Sequence, residues 1–251
     1  MLTERPWKVE TVPALLAGLF GCIFFGSLLM QWLVPGGMSN ASESQRFLGF
    51  VVSTVFFQGS GLLLIVGFLY LNQCSAVEAF GMKNGSLLRC AGLALAAFIV
   101  VLPLAWGLGQ VSSRLIEALS GKPQLQMGVQ IMQTRQAPME VAFMCLSTMV
   151  LAPLVEEIFF RGILYHAVKR MGYPRMAIWS TTLLFAAIHG NLMTLPPLFM
   201  LAMVLTWLYE VTDNLLAPVL LHSLFNAANL ATLLYMAELK QLLHRYFPTM
   251  T

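Results

Sequence analysis

Residues 12–34 read VPALLAGLFGCIFFGSLLMQWLV, and this stretch decides what kind of molecule the chain forms. A helix crossing the hydrocarbon core of a bilayer needs about 20 consecutive apolar residues, and this run exceeds that. It is also longer than the apolar core of a signal peptide, which spans about 7–15 residues. Arg5 and Lys8 in front of it suit either reading, and the length favours a retained helix. Six further apolar runs follow, at roughly 47–71, 87–109, 139–164, 174–189, 194–210 and 215–235. They are too long and too continuously apolar for strands, and the alternation of barrel strands is missing. Lipid offers no hydrogen bonds to a backbone, so such runs must be helices. The predicted fold is therefore all-α: a polytopic transmembrane bundle of about seven helices, or eight if one is split.

Composition agrees. Of the 251 residues, 58% are hydrophobic and only 10% charged, and the mean hydropathy is +0.77. Soluble domains are about 45–50% apolar and about 25% charged. A chain this poor in charge cannot clothe a water-exposed surface, so membrane lipid is its solvent. A net charge of +3 is too small to point to nucleic acid. Cys22, Cys74, Cys90 and Cys145 are scattered, which argues against a disulfide framework and against a cysteine zinc site. Asn40-Ala41-Ser42 has the form of a glycosylation sequon, a weak signal when it stands alone.

Aromatic residues lie near several run ends (Trp32, Tyr70, Trp106, Tyr209), where interfacial anchors belong. Most connections are short, polar and rich in Gly or Pro. The exception is Gln110–Pro138, which mixes Arg114, Glu117, Lys122 and Arg135 with Leu115, Ile116, Met127 and Ile131. It reads equally as an amphipathic surface segment or as an ordinary long loop. Basic residues favour a cytoplasmic amino terminus, because Arg5, Lys8, Lys83, Arg89, Lys169, Arg170 and Arg175 then share the inner side. Three regions are expected: 1–134, with the first helices and the long loop; 135–240, with the chemistry; and a polar tail, 241–251.

Charge within a span is costly, about 2.5–3.5 kcal/mol per residue on insertion scales, and so points to function. Residues 152–162, APLVEEIFFRG, hold three such groups. Glu157 and Arg161 stand four apart and can pair on one helix face, whereas Glu156 is turned about 100° away. Pro153 should loosen the helix just upstream. An ion-pair lock accounts for Glu157 and Arg161 and leaves the adjacent Glu156 unexplained. A second element, Phe185-Ala-Ala-Ile-His189, ends one apolar run. A third, His222-Ser-Leu-Phe-Asn226, places histidine and asparagine on one face of another.

A carboxylate beside an imidazole can polarise a water and take its proton, and a histidine with an asparagine can hold an oxyanion. Together these describe amide hydrolysis without a serine or cysteine nucleophile: Ser223 points to another face, and no G-x-S-x-G elbow occurs. The preferred reading needs no cofactor. The alternative is a divalent metal such as zinc held by Glu156, His189 and His222, although the H-E-x-x-H motif is absent. Two non-peptidase readings use the same groups: a membrane protein that keeps the polar cluster for packing, and a small transporter with a proton relay. No inverted repeat supports the transporter.

The run Ala152–Gly162 carries E-E-x-x-x-R, followed by F-x-x-x-H at 185–189 and H-x-x-x-N at 222–226. In this order the three motifs resemble those of the CAAX prenyl protease and bacteriocin-processing (CPBP, or Abi) family, over roughly residues 135–240. The resemblance implies an intramembrane endopeptidase, acting either as a glutamate protease or as a metalloprotease. Glu156 would be the general base, with His189 holding its water. Glu157 and Arg161 would orient the site, His222 and Asn226 would stabilise the oxyanion, and Phe185 would form part of the substrate-binding wall. The implied partner is a membrane-associated peptide or protein, prenylated at a CAAX tail or not. Members of the family also serve in bacteriocin immunity, so a non-catalytic relative belongs among the alternatives. Small size and short loops suggest a prokaryotic inner membrane. The chain's own end, Phe247–Thr251, is no CAAX box.

Overall fold

The computed structural model describes residues 2–83, 85–120, 129, 131 and 137–246. Every regular element among them is helical. In chain order these are α1 (Val12–Leu33), α2 (Glu43–Leu71), the short α3 (Ala76–Ala79), α4 (Leu87–Ser120), α5 (Pro138–Arg170), α6 (Pro174–Ile188), α7 (Leu195–Thr212) and α8 (Leu216–Tyr246). Among the described residues, α1, α2, α4, α5, α7 and α8 contain stretches long and apolar enough to cross a membrane. The protein is thus an all-α polytopic membrane bundle. α6, with 15 residues, is the shortest of the expected spans; at 1.5 Å per residue it is about 22 Å long.

Two helices outrun the apolar runs that predicted them. α4 continues past residue 109 to Ser120, because no Gly or Pro interrupts residues 110–120. The first half of the expected long loop is therefore helix. Lys122, Met127 and Arg135, also assigned to that loop, lie outside the described residues. α8 likewise extends to Tyr246, into the expected polar tail, of which residues 247–251 lie outside the described residues.

The ends gather as the charge pattern requires. Lys8 N–H donates to Asn72 Oδ1 after α2 (2.8 Å). Arg170 at the end of α5 donates to Trp7 O (2.8 Å). Arg5 pairs with Asp213 after α7 (2.5 Å). The segments bearing Arg5, Lys8 and Arg170, three of the basic residues assigned to the inner side, therefore meet at one end of the bundle. Gly81 completes that junction. Its φ of +68° is one that L side chains avoid, and a Cβ there would lie 2.5 Å from Arg5 Nη1.

α5 is the spine of the molecule, and its backbone is irregular. Ser147–Leu151 and Ile158–Tyr165 widen into π-helical turns, with an α-helical segment, Ala152–Glu157, between them. Pro153 lies at the first junction, so the loosening expected there takes the form of a π turn rather than a sharp kink. π turns of this kind often mark functional positions. α2 approaches α5 closely at Gly61, where a Cβ would lie 2.9 Å from Val155 Cγ1; small residues allow such approaches between membrane helices.

Candidate active site

The four-residue spacing of Glu157 and Arg161 does what the sequence suggests. Arg161 Nη1 donates to Glu157 Oε1 at 2.8 Å, with both side chains fully buried. Arg161 Nη2 donates to the Ala202 carbonyl of α7 (3.1 Å), and its Cζ stands 4.7 Å from the Phe185 ring centroid. The guanidinium thus ties α5 to both α6 and α7. Nothing in the sequence announced the Ala202 carbonyl, because a backbone acceptor leaves no residue signature.

α8 delivers His222 to the same carboxylate. Its Nδ1 lies 2.8 Å from Glu157 Oε1, on the atom that Arg161 also engages. Against a carboxylate Nδ1 is the donor, so the other ring nitrogen is left to face the chemistry. That nitrogen, Nε2, lies 3.9 Å from Glu156 Oε2. The separation is too long for a direct hydrogen bond and is one that a single bridging water spans. Glu156 Oε2 is buried and has no hydrogen-bond partner among the described residues, and the same holds for Glu157 Oε2. Buried polar atoms are nearly always satisfied, so Glu156 Oε2 stands as an acceptor in want of a donor.

His189 caps α6 and lines the same cavity as Glu156. Its Nδ1 is 2.8 Å from the Phe185 carbonyl, which only accepts, so Nδ1 carries the proton and Nε2 the lone pair. Phe185, expected in the wall of a substrate pocket, is fully buried. It packs against His189 (5.1 Å between centroids), His222 (5.7 Å) and Phe160 (5.2 Å), and so fixes the planes of both imidazoles. Asn226, one turn beyond His222 on α8, donates through Nδ2 to the Thr148 carbonyl at 2.9 Å.

Glu156 and His189 form the polar end of a cavity of about 760 Å³ bounded by α1, α2, α5 and α6. Its other walls are mostly apolar, with Phe20, Ile23, Met30, Phe56 and Leu184 among them beside Ser27 and Ser53. Among the described residues no three His, Cys, Asp or Glu side chains gather closely enough to hold a metal ion. Glu156, His189 and His222, the set a zinc would need, do not form such a group.

The fold and site therefore define a membrane-embedded bundle with a carboxylate–imidazole centre opening into an apolar chamber. Residues 138–228 match the family model described as Type II CAAX prenyl endopeptidase Rce1-like, and this segment contains all seven residues named above for the site. Over these residues the chain is similar to the CAAX protease family. No curated protein and no solved structure matches the chain.

Proposed function

We propose that the protein is an intramembrane endopeptidase that hydrolyses a peptide bond of a membrane-associated substrate by carboxylate-activated water. The observation that carries this reading is the buried Glu156 Oε2, without a hydrogen-bond partner among the described residues, standing 3.9 Å from His222 Nε2 on a residue that lines a largely apolar cavity. A water between the two donates one hydrogen to Glu156 and is held through the other by His189 Nε2. Glu156 takes the first proton as the oxygen adds to the scissile carbonyl carbon. The carbonyl electron pair moves onto oxygen, where the Nε2–H of His222 meets it. As the tetrahedral adduct collapses, the C–N bond breaks and Glu156 returns its proton to the leaving amine.

The scheme uses His222 as an imidazolium, so that two carboxylates, Glu156 and Glu157, face two cations, Arg161 and His222. A buried cluster with zero net charge avoids most of the desolvation cost that an uncompensated ion would bear. Glu157 acts through His222, holding its Nδ1–H so that Nε2 points at the reacting oxygen. The apolar cavity suits a substrate that enters from the bilayer carrying an acyl, isoprenyl or apolar side-chain group.

The test is a comparison of membrane-fraction proteomes from cells expressing wild type or Glu156→Gln at matched levels, scored for new carboxyl termini. Peptide ends present with wild type and absent with the variant support the reading. Unaltered processing of a verified substrate by Glu156→Gln overturns it.

A further inference from the structure

Asn226 stands in a motif together with His222, yet its amide nitrogen is engaged elsewhere, and the reason lies in the backbone of α5. In a regular helix the Thr148 carbonyl would accept from Ala152 N–H. Here the π turn diverts Ala152 N–H to Ser147 O, five residues back instead of four. In that same register the next donor, at residue 153, would reach Thr148 O, but residue 153 is proline and has no N–H. Thr148 O thus loses one donor to a register shift and the other to covalent chemistry. Asn226 Nδ2 supplies the missing hydrogen bond at 2.9 Å. A carbonyl left unpaired in this setting costs more than an ordinary hydrogen bond contributes.

We infer that Asn226 is a positioning residue: it pins α8 to the carbonyl that Pro153 leaves unpaired, and so sets the register of His222 against Glu156 and Glu157. His222 lies one turn from Asn226 on α8, and the two glutamates follow Thr148 by two turns on α5. A slip of α8 at the pin is therefore carried directly into the 2.8 Å and 3.9 Å separations at the site. Asn226 and Pro153 form one device: the proline creates the vacant acceptor and the asparagine fills it. The effect of Asn226 on catalysis rests on the peptidase reading, whereas its pin does not.

The experiment is a double-mutant cycle on the full chain in detergent, reading the thermal unfolding midpoint and, separately, substrate cleavage. Asn226→Ala lowers the midpoint by about 3 °C, as loss of a net hydrogen bond should in a chain of this size. Pro153→Ala restores an N–H in register with Thr148 O. The double variant Pro153→Ala/Asn226→Ala therefore recovers more than half of that loss, and it recovers cleavage with it. Asn226→Asp, with the same shape but an acceptor in place of the donor, lowers the midpoint at least as far as alanine does. This arm stands even if the proline variant fails to fold. Additive midpoints in the cycle, or wild-type midpoints for both Asn226 variants, overturn the inference. Recovery of the midpoint with cleavage still absent also overturns the positioning role and returns Asn226 to direct contact with the reacting atoms. If wild type cleaves nothing, the peptidase reading fails and the midpoint cycle still decides the pin.

Discussion

Among the described residues two arginines are buried against carboxylates, Arg5 and Arg161, and their clusters are built to opposite specifications. In the cluster at the bundle end, Arg5 Nη2 pairs with Asp213 Oδ1 and also donates to Tyr209 Oη and Asp213 O. The second carboxylate oxygen accepts from Thr3 N–H and Thr3 Oγ1–H. Both oxygens of Asp213 are therefore satisfied. In the central cluster Arg161 and His222 converge on one oxygen of Glu157, while Glu157 Oε2 and Glu156 Oε2 have no hydrogen-bond partner among the described residues. The first cluster closes a fold. The second keeps acceptor capacity in reserve, which costs stability and has a rationale only if something else is to be bound there. Saturation separates the two clusters more sharply than burial does, because the arginine of each is buried.

This contrast can be broken or sharpened experimentally. The largest expected effect is on chemistry. Glu156→Gln should lower cleavage by about 10²–10⁴-fold, the usual worth of a positioned general base, and leave the unfolding midpoint unchanged or raised. A fall in the midpoint with cleavage intact would make Glu156 structural and erase the distinction. Next is Arg5→Ala, which leaves Asp213 largely buried and short of its cation. It should destabilise by about 3–5 kcal/mol while the folded fraction still cleaves, as shown by denaturant titration paired with activity per folded molecule. Gly81→Ala attacks the same junction from the side: a Cβ at φ +68° would lie 2.3 Å from Asp213 O. The left-handed backbone alone costs about 1–2 kcal/mol, so the midpoint should fall, by less than for Arg5→Ala. The smallest effect should come from Lys169→Met. This lysine pairs with Glu210 near the same end, with each side chain 27% exposed. Solvent screening limits such pairs to about 0–1 kcal/mol, and a larger loss would make that end more tightly coupled than its exposure implies.

Much of the architecture was legible because bilayer physics writes it into composition. Seven apolar runs appear as helices, and the Glu157–Arg161 pair forms as its spacing requires. The helix ends were less legible: α4 and α8 continue into segments read as loop and tail, because an amphipathic stretch lacking Gly and Pro supports a helix as readily as a loop. Arg5 was readable only as a topology signal. Its pairing with Asp213, 208 positions away, follows from how the bundle ends meet and leaves no local pattern. Pro153 was a readable signal for backbone disturbance, but the identity of the residue that compensates for it was not.

By itself the sequence determined that the chain lives in lipid, which runs are helical, and which side chains share a face of their own helix. All of these follow from local composition and the helical period. Only the tertiary structure decided that His222 reaches Glu157 across 65 positions, that Phe185 sits behind both imidazoles, and that Asn226 answers the Thr148 carbonyl. Each depends on the rotation of one helix against another, and a π turn such as Ser147–Leu151 shifts that rotation by about 100° for each inserted residue. Periodicity read from the sequence cannot carry a phase across such an insertion, and so the geometry of the candidate site was set by packing.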